Sequence, residues 1–207
     1  YVPLAKNGEA VVTQYTMTVM EELGLLKMDF LGLRNLSVIH DAEEMIRRKN
    51  PGFSVGGIDY QDAKVFHMLS SGNVDGVFQF ESGGMRSVIM QLKPEHLEDL
   101  IAVISLYRPG PMQSIPRYIE CRHNPEKVTY KHPLLEPILN VTYGCIVYQE
   151  QVMQIFRSLA GYSLGRADIV RRAMAKKKAK VMEEEKQVFI HGLLAPDGSV
   201  EVDGCIR

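Results

Sequence analysis

The chain has 207 residues, 45% of them hydrophobic and 24% charged, and 24 Lys and Arg against 25 Asp and Glu give a formal net charge of -1. These proportions exclude collagen-like, disordered and disulfide-scaffold classes, and the near-zero net charge means that any affinity for nucleic acid has to come from a local cluster. The longest apolar runs, such as Ile101 to Ile104, fall far short of the ~20 residues of a membrane span. Widely spaced Cys121, Cys145 and Cys205 point to a reducing compartment, so the expected location is the cytoplasm. The first residue is Tyr1 rather than Met, which leads to the expectation of a piece of a longer protein.

In chain order, Leu25 to Phe30 alternates at period 2, with Leu26, Met28 and Phe30 on one face and Lys27 and Asp29 on the other, which predicts a strand. Asn35 is placed to cap a helix whose stripe is Val38, Ala42, Met45 and Ile46, stopped by the run from Arg47 to Gly52. Asp59 is placed to cap a short helix with Val65, Met68 and Leu69 together, ending at Gly72. Val77 to Phe80 predicts a second strand, leading into a helix through Leu92 that Pro94 closes. Leu97, Leu100, Ile101 and Ile104 mark a further helix, broken by Arg108 to Pro111. Tyr143 to Tyr148 predicts a buried strand. The helix after it carries Val152, Ile155, Phe156 and Leu159 and ends at Gly161. Ser163 restarts helix, and a last helix with Val181, Glu185, Val188 and Phe189 in register fades into the turn Pro196-Asp197-Gly198. The fold class is α+β, mainly α-helical with a few strands.

Two places have the residue types for phosphate chemistry. Lys27 and Asp29 set an ammonium beside a carboxylate, groups that phosphoryl transfer uses, although an isolated pair of this kind is far more often the solvated face of an edge strand. From Arg171 to Lys180 the chain has six basic residues and no acidic one. On one continuous helix Arg172, Lys176 and Lys180 would align, with Arg171 and Lys178 forming a second stripe. That surface suits a polyanion; the alternative is a solvated basic face paired with Glu183 to Glu185. Gly83-Gly84 lacks the lysine of a phosphate-binding loop and reads as a packing turn, Cys145 as a small buried residue. The histidines show no metal-ligand spacing.

Six blocks taken in order carry more than any one alone: Lys27 to Arg34, Gly76 to Met85, Leu106 to Met112, Tyr143 to Gln154, Ala160 to Gly165 and Arg171 to Lys178. Together they resemble the bacterial DNA polymerase III alpha-subunit family, the C family of replicative polymerases. The resemblance reaches to about Gly192, and 194–207 matches nothing in it. It implies a short strip of palm at 1–33 and most of a fingers domain at 34–207. It implies that Asp29 is the third metal-binding aspartate, holding Mg²⁺ with two aspartates absent from this chain, and that Lys27 is a cation beside the triphosphate. It assigns Arg171 and Arg172 to the incoming nucleotide, with Lys176, Lys177, Lys178 and Lys180 as further DNA or phosphate contacts. Implied partners are primer-template DNA, deoxynucleoside triphosphates and other subunits of the replicative polymerase.

The chain departs from the family in having Ala175 where glycine is usual, in lacking a D-x-D strand and in lacking the S-H-S-A-A-Y block. It is therefore expected to belong to a DNA-directed DNA polymerase and to be inactive alone, since a two-metal site needs more than one carboxylate. A stand-alone helical module that binds nucleic acid or protein through 171–180 is the alternative, and a complete small phosphotransfer enzyme is a third possibility.

Overall fold

A computed structural model describes every residue except Lys27, Asp29, Ile206 and Arg207. It divides into two compact units, Tyr1–Ile58 and Asp59–Arg207. The described residues are mainly helical, as the sequence led us to expect, with two small two-stranded sheets.

In the first unit, β1 (Leu4–Asn7) and β2 (Ala10–Thr13) form an antiparallel hairpin, with Leu4 opposite Thr13 and Asn7 opposite Ala10. Helix α1 (Met17–Glu22) and helix α2 (Arg34–Arg47) follow. Of the strand expected at Leu25 to Phe30, the described residues Leu25, Leu26, Met28 and Phe30 lie outside any strand, while Lys27 and Asp29 fall outside the described residues. A period-2 pattern needs a neighbouring strand to take its backbone groups, and β1 and β2 pair with each other. Helix α2 starts one residue before Asn35, with Leu33 at its N-cap position. Its stripe of Val38, Ala42, Met45 and Ile46 is exposed. Among the described residues of this unit none is buried.

The second unit holds the core. Its helices are α3 (Ala63–Ser70), α4 (Gly83–Leu92), α5 (Leu97–Leu106), α6 (Ile115–His123), the single turn α7 (Glu136–Leu139), α8 (Gln149–Ala160), α9 (Leu164–Ala175) and α10 (Ala179–His191). A closing hairpin pairs β3 (Leu193–Leu194) with β4 (Val200–Val202). One apolar cluster gathers Leu69, Phe80, Met85, Ile89, Leu92, Val103, Leu106, Tyr118 and Cys145, which bears out the buried Cys145. A second gathers Ala160, Tyr162, Ala167, Val170 and Val202.

Several local expectations shift. Helix α3 is capped by Asp62, whose Oδ1 accepts from the Lys64 N–H at 2.8 Å, whereas Asp59 closes a turn by accepting from the Gln61 N–H at 2.9 Å. The buried face of α3 is Phe66 and Leu69, whereas Val65 and Met68 are exposed. Likewise α5 buries Ala102, Val103 and Leu106 rather than Ile101.

Val77 to Phe80 is a turn, not a strand, closed by Phe80 N–H to Val77 O at 3.0 Å with Gln79 at φ 68°. Nor is Tyr143 to Tyr148 a strand. Tyr143 and Gly144 take φ of 52° and 79°, which breaks an extended run. Side chains then serve the remaining backbone. Gln151 Oε1 accepts from the N–H groups of Val147 and Tyr148 at 2.8 and 2.9 Å, and the Thr142 hydroxyl donates to Cys145 O at 2.6 Å. Buried Gln151 thus supplies what a neighbouring strand would have supplied. Both segments looked like strands because each carries apolar residues for the core, but only Phe80 and Cys145 are buried, and both pack into the first apolar cluster.

Candidate polyanion site at the α9–α10 elbow

Ser163 starts α9, its Oγ accepting from the Arg166 N–H at 3.3 Å. The helix buries Ala167, Val170 and Ala173, so the intervening Asp168, Arg171 and Arg172 are carried on its other sides. It does not run on to Lys180. Helix α9 ends at Ala175, and Lys177 takes a left-handed φ of 51°. Lys178 N–H donates to Ala173 O at 2.9 Å and Lys177 N–H to Met174 O at 3.1 Å, the paired bonds of a Schellman stop. The continuous stripe of Arg172, Lys176 and Lys180 is therefore corrected to a bend between two helices. Glycine normally marks such a stop, and a lysine in its place hid the stop from the sequence reading.

The bend gathers charge differently from a straight helix. Arg172, Lys176 and Lys178 line one open cavity of about 260 Å³ with Ile169, Ala173 and Val181, and no carboxylate is among its lining residues. Lys177 and Lys180 lie outside that lining. Among the described residues, the Lys176, Lys177, Lys178 and Lys180 ammonium groups have no ion-pair or hydrogen-bond partner. The acidic run does not neutralise them: Glu183 pairs with Lys186 at 3.3 Å, and Glu185 receives Arg166 at 3.0 Å and the Tyr162 hydroxyl at 2.9 Å.

The partner of the arginines is Asp168, which the sequence reading passed over although it stands three and four residues before them. Asp168 Oδ1 accepts from Arg171 Nε at 2.8 Å, and Oδ2 faces Arg172 Nη2 at 2.8 Å. The Arg171 hydrogen bond, which is the largest effect, together with the two guanidinium charges outweighs desolvation and holds the Asp168 carboxyl below the usual carboxylate range. Arg171 Nη1 also donates to Gln149 Oε1 at 2.6 Å, on the first residue of α8. Arg172 stays more than half exposed, at 59% of its side chain.

Gln149 connects this elbow to a second opening of about 420 Å³, lined by Ser105, Arg108, Pro111, Val147, Tyr148, Gln149 and Glu150. Two of the sequence blocks, Leu106 to Met112 and Tyr143 to Gln154, meet there. The Gly76 to Met85 block packs, as expected: Ser82 caps α4, and the Tyr107 hydroxyl lies so close over Gly84 that a Cβ there would collide with it. Lys27 and Asp29 lie outside the described residues. Magnesium requires hard oxygen donors, and the described residues contain no cluster of three His, Cys, Asp or Glu side chains. They do not furnish a magnesium site, and the cationic elbow has the wrong charge for one.

The second unit is thus a mainly helical domain in which Arg172, Lys176 and Lys178 meet at one bend between helices, a surface suited to phosphate. The profile of the bacterial DNA polymerase III alpha subunit finger domain matches residues 35–197, and the chain belongs to that family. It is 56% identical over 194 residues to the DNA polymerase III subunit alpha of Staphylococcus aureus (strain COL), covering 93% of this chain and 18% of that protein. The subunit of the same name from Staphylococcus epidermidis (strain ATCC 12228 / FDA PCI 1200) is 54% identical over 193 residues, with 93% and 18% covered. The chain thus spans 18% of the length of these relatives.

Proposed function

We propose that the chain is the fingers portion of a replicative DNA-directed DNA polymerase, a cytoplasmic nucleotidyltransferase that adds deoxynucleotides to a primer 3′ end. The observation that carries this reading is the convergence of Arg172, Lys176 and Lys178 on one carboxylate-free cavity inside the segment that matches the finger-domain family. In phosphoryl transfer, catalysis is largely positioning and charge stabilisation along the triphosphate. The elbow offers what that needs from a fingers surface: a guanidinium and two ammonium groups without carboxylate in the lining, on a bend fixed by backbone hydrogen bonds.

Within this reading the substrates are primer-template DNA and deoxynucleoside triphosphates, and other polymerase subunits are partners. Residues 1–33 are a strip of palm and 34–207 fingers. Asp29 is a metal ligand and Lys27 a triphosphate-side cation, on the strength of the resemblance of their block. Arg171, fastened to Asp168 and Gln149, acts by supporting Arg172; Lys176 and Lys178 meet phosphate directly, with Lys177 and Lys180 at the rim.

The test is a titration of this chain with duplex primer-template DNA at several salt concentrations. Three phosphate contacts give a log–log slope near -2.7, or a loss of about 40-fold in affinity between 50 and 200 mM salt, and Arg172→Ala should flatten that slope by about one unit. An identical slope in wild type and variant would remove Arg172, and with it the elbow, from phosphate binding.

A further inference from the structure

We infer that Asp168 is a positioning residue for phosphate binding at the elbow: one carboxylate fixes Arg171 against α8 and holds Arg172 as an exchangeable partner, so that phosphate binds by taking Arg172 over. This rests on the reading of the elbow as a phosphate site.

The two arginines share a carboxylate but differ in what else they touch. Arg171 Nε and Nη2 both reach Asp168 Oδ1, at 2.8 and 2.6 Å, and its Nη1 reaches Gln149 Oε1 at 2.6 Å. It is held from two helices and only 23% of its side chain is exposed. A guanidinium held through all three of its nitrogens has little freedom left and makes a poor mobile donor. Arg172 meets Asp168 through one nitrogen, Nη2 to Oδ2 at 2.8 Å, is 59% exposed and lines the cavity that Lys176 and Lys178 share. An exposed single contact of this kind is weak and easily exchanged. A polyphosphate in the cavity offers Arg172 more negative charge than one carboxylate does, and only the phosphate reaches the two lysines as well.

Asp168 therefore keeps the elbow partly neutralised until phosphate arrives, and keeps Arg171 aimed while Arg172 changes partner. A carboxylate whose task was only to stabilise α9 would not need to be shared between one tethered arginine and one facing a cavity.

Inorganic tripolyphosphate titrated into this chain, followed by the arginine Nε–H NMR signals, tests the assignment alongside thermal melting of each variant. In wild type the Arg172 signal should move and the Arg171 signal stay. Asp168→Asn should bind tripolyphosphate about 2- to 5-fold more tightly at low salt, the effect of releasing one exposed ion pair, with little change in melting temperature. Asp168→Glu, which still reaches both arginines across a helical turn, should return affinity toward wild type. In the full-length parent enzyme, Asp168→Asn should lower kcat while KM for deoxynucleotide stays level or falls. Unchanged affinity in Asp168→Asn, or weaker affinity in step with lost stability, would overturn the exchange. Tripolyphosphate affinity unaltered by Arg172→Ala would instead reject the elbow as a phosphate site, a failure visible without any Asp168 variant.

Discussion

Single side chains in this protein do their strongest structural work where a buried charge is fully partnered. Asp99 is buried at the first turn of α5, where its Oδ2 accepts from the N–H groups of Glu95 and His96 and its two oxygens receive Arg122 Nε and Nη2 at 3.0 and 2.8 Å. Burial alone would raise its pKa, but the Arg122 hydrogen bonds, the backbone donors and the guanidinium charge outweigh burial and hold the carboxyl below its ordinary value. A carboxyl with a depressed folded pKa contributes stability that is present above the unfolded value and lost as pH falls through the folded one. Acid unfolding monitored by circular dichroism should therefore include a component below about pH 4 that Asp99→Asn removes. Arg122→Ala leaves a buried carboxylate without its partner and should lower the unfolding free energy by about 3–5 kcal/mol in urea titrations at pH 7. A loss below about 1 kcal/mol would mean that the pair behaves as a surface ion pair.

At the scale of elements, the short C-terminal hairpin is a structural clasp, although 194–207 resembled nothing in the family. Val202 is 1% exposed and packs with Ala160, Tyr162, Ala167 and Val170. Gly204 N–H donates to Ala160 O at 3.1 Å and Cys205 N–H to Phe189 O at 2.9 Å, so the segment is tied to the ends of α8 and α10. Arg166 reaches across from α9 to Glu185 on α10 and, at 2.7 Å, to Glu201 on β4. The helices that bear the cationic elbow are thus closed at their base. Val202→Ala removes two buried methyl groups and should cost about 1.5–2.5 kcal/mol, counting ~0.8 per group and the cavity left behind. The same thermal melts should show Val200→Ala, at an exposed position of the same strand, within about 0.5 kcal/mol of wild type.

For the molecule as a whole, the two units differ in how they are stabilised. Residues 1–58 contain no buried position among those described, whereas 59–207 hold both apolar clusters. Helix α2, at 14 residues, must then rely on its own backbone bonds and on pairs such as Arg47 with Glu43 at 2.6 Å. Helices shorter than about 15 residues are marginal in water without tertiary packing. Hydrogen exchange read by mass spectrometry should show α2 amides exchanging at least 10³-fold faster than those of α4 and α8, a gap of roughly 4 kcal/mol in opening free energy. Equal protection in α2 and α4 would show that its apolar stripe is covered in solution.

Much of this protein was legible in its sequence. The apolar periods and stop residues determined that α4, α8 and α9 form and where they end or begin, because Pro94 and Gly161 stop a helix and Ser163 caps one whatever surrounds them. The ordered blocks determined the family, since each is a local string. Tertiary structure alone decided the rest. Left-handed backbone at Gln79, Tyr143 and Gly144, with no neighbouring strand to pair with, turned two expected strands into a turn and a side-chain-bonded segment. The left-handed backbone at Lys177 broke a basic run that composition and period both drew as one helix, and so chose Arg172, Lys176 and Lys178 as the cations that share a cavity. A local pattern specifies which groups need partners, but the identity of many of those partners depends on which distant segments packing brings alongside, as Arg171 with Gln149 and Arg166 with Glu201 show.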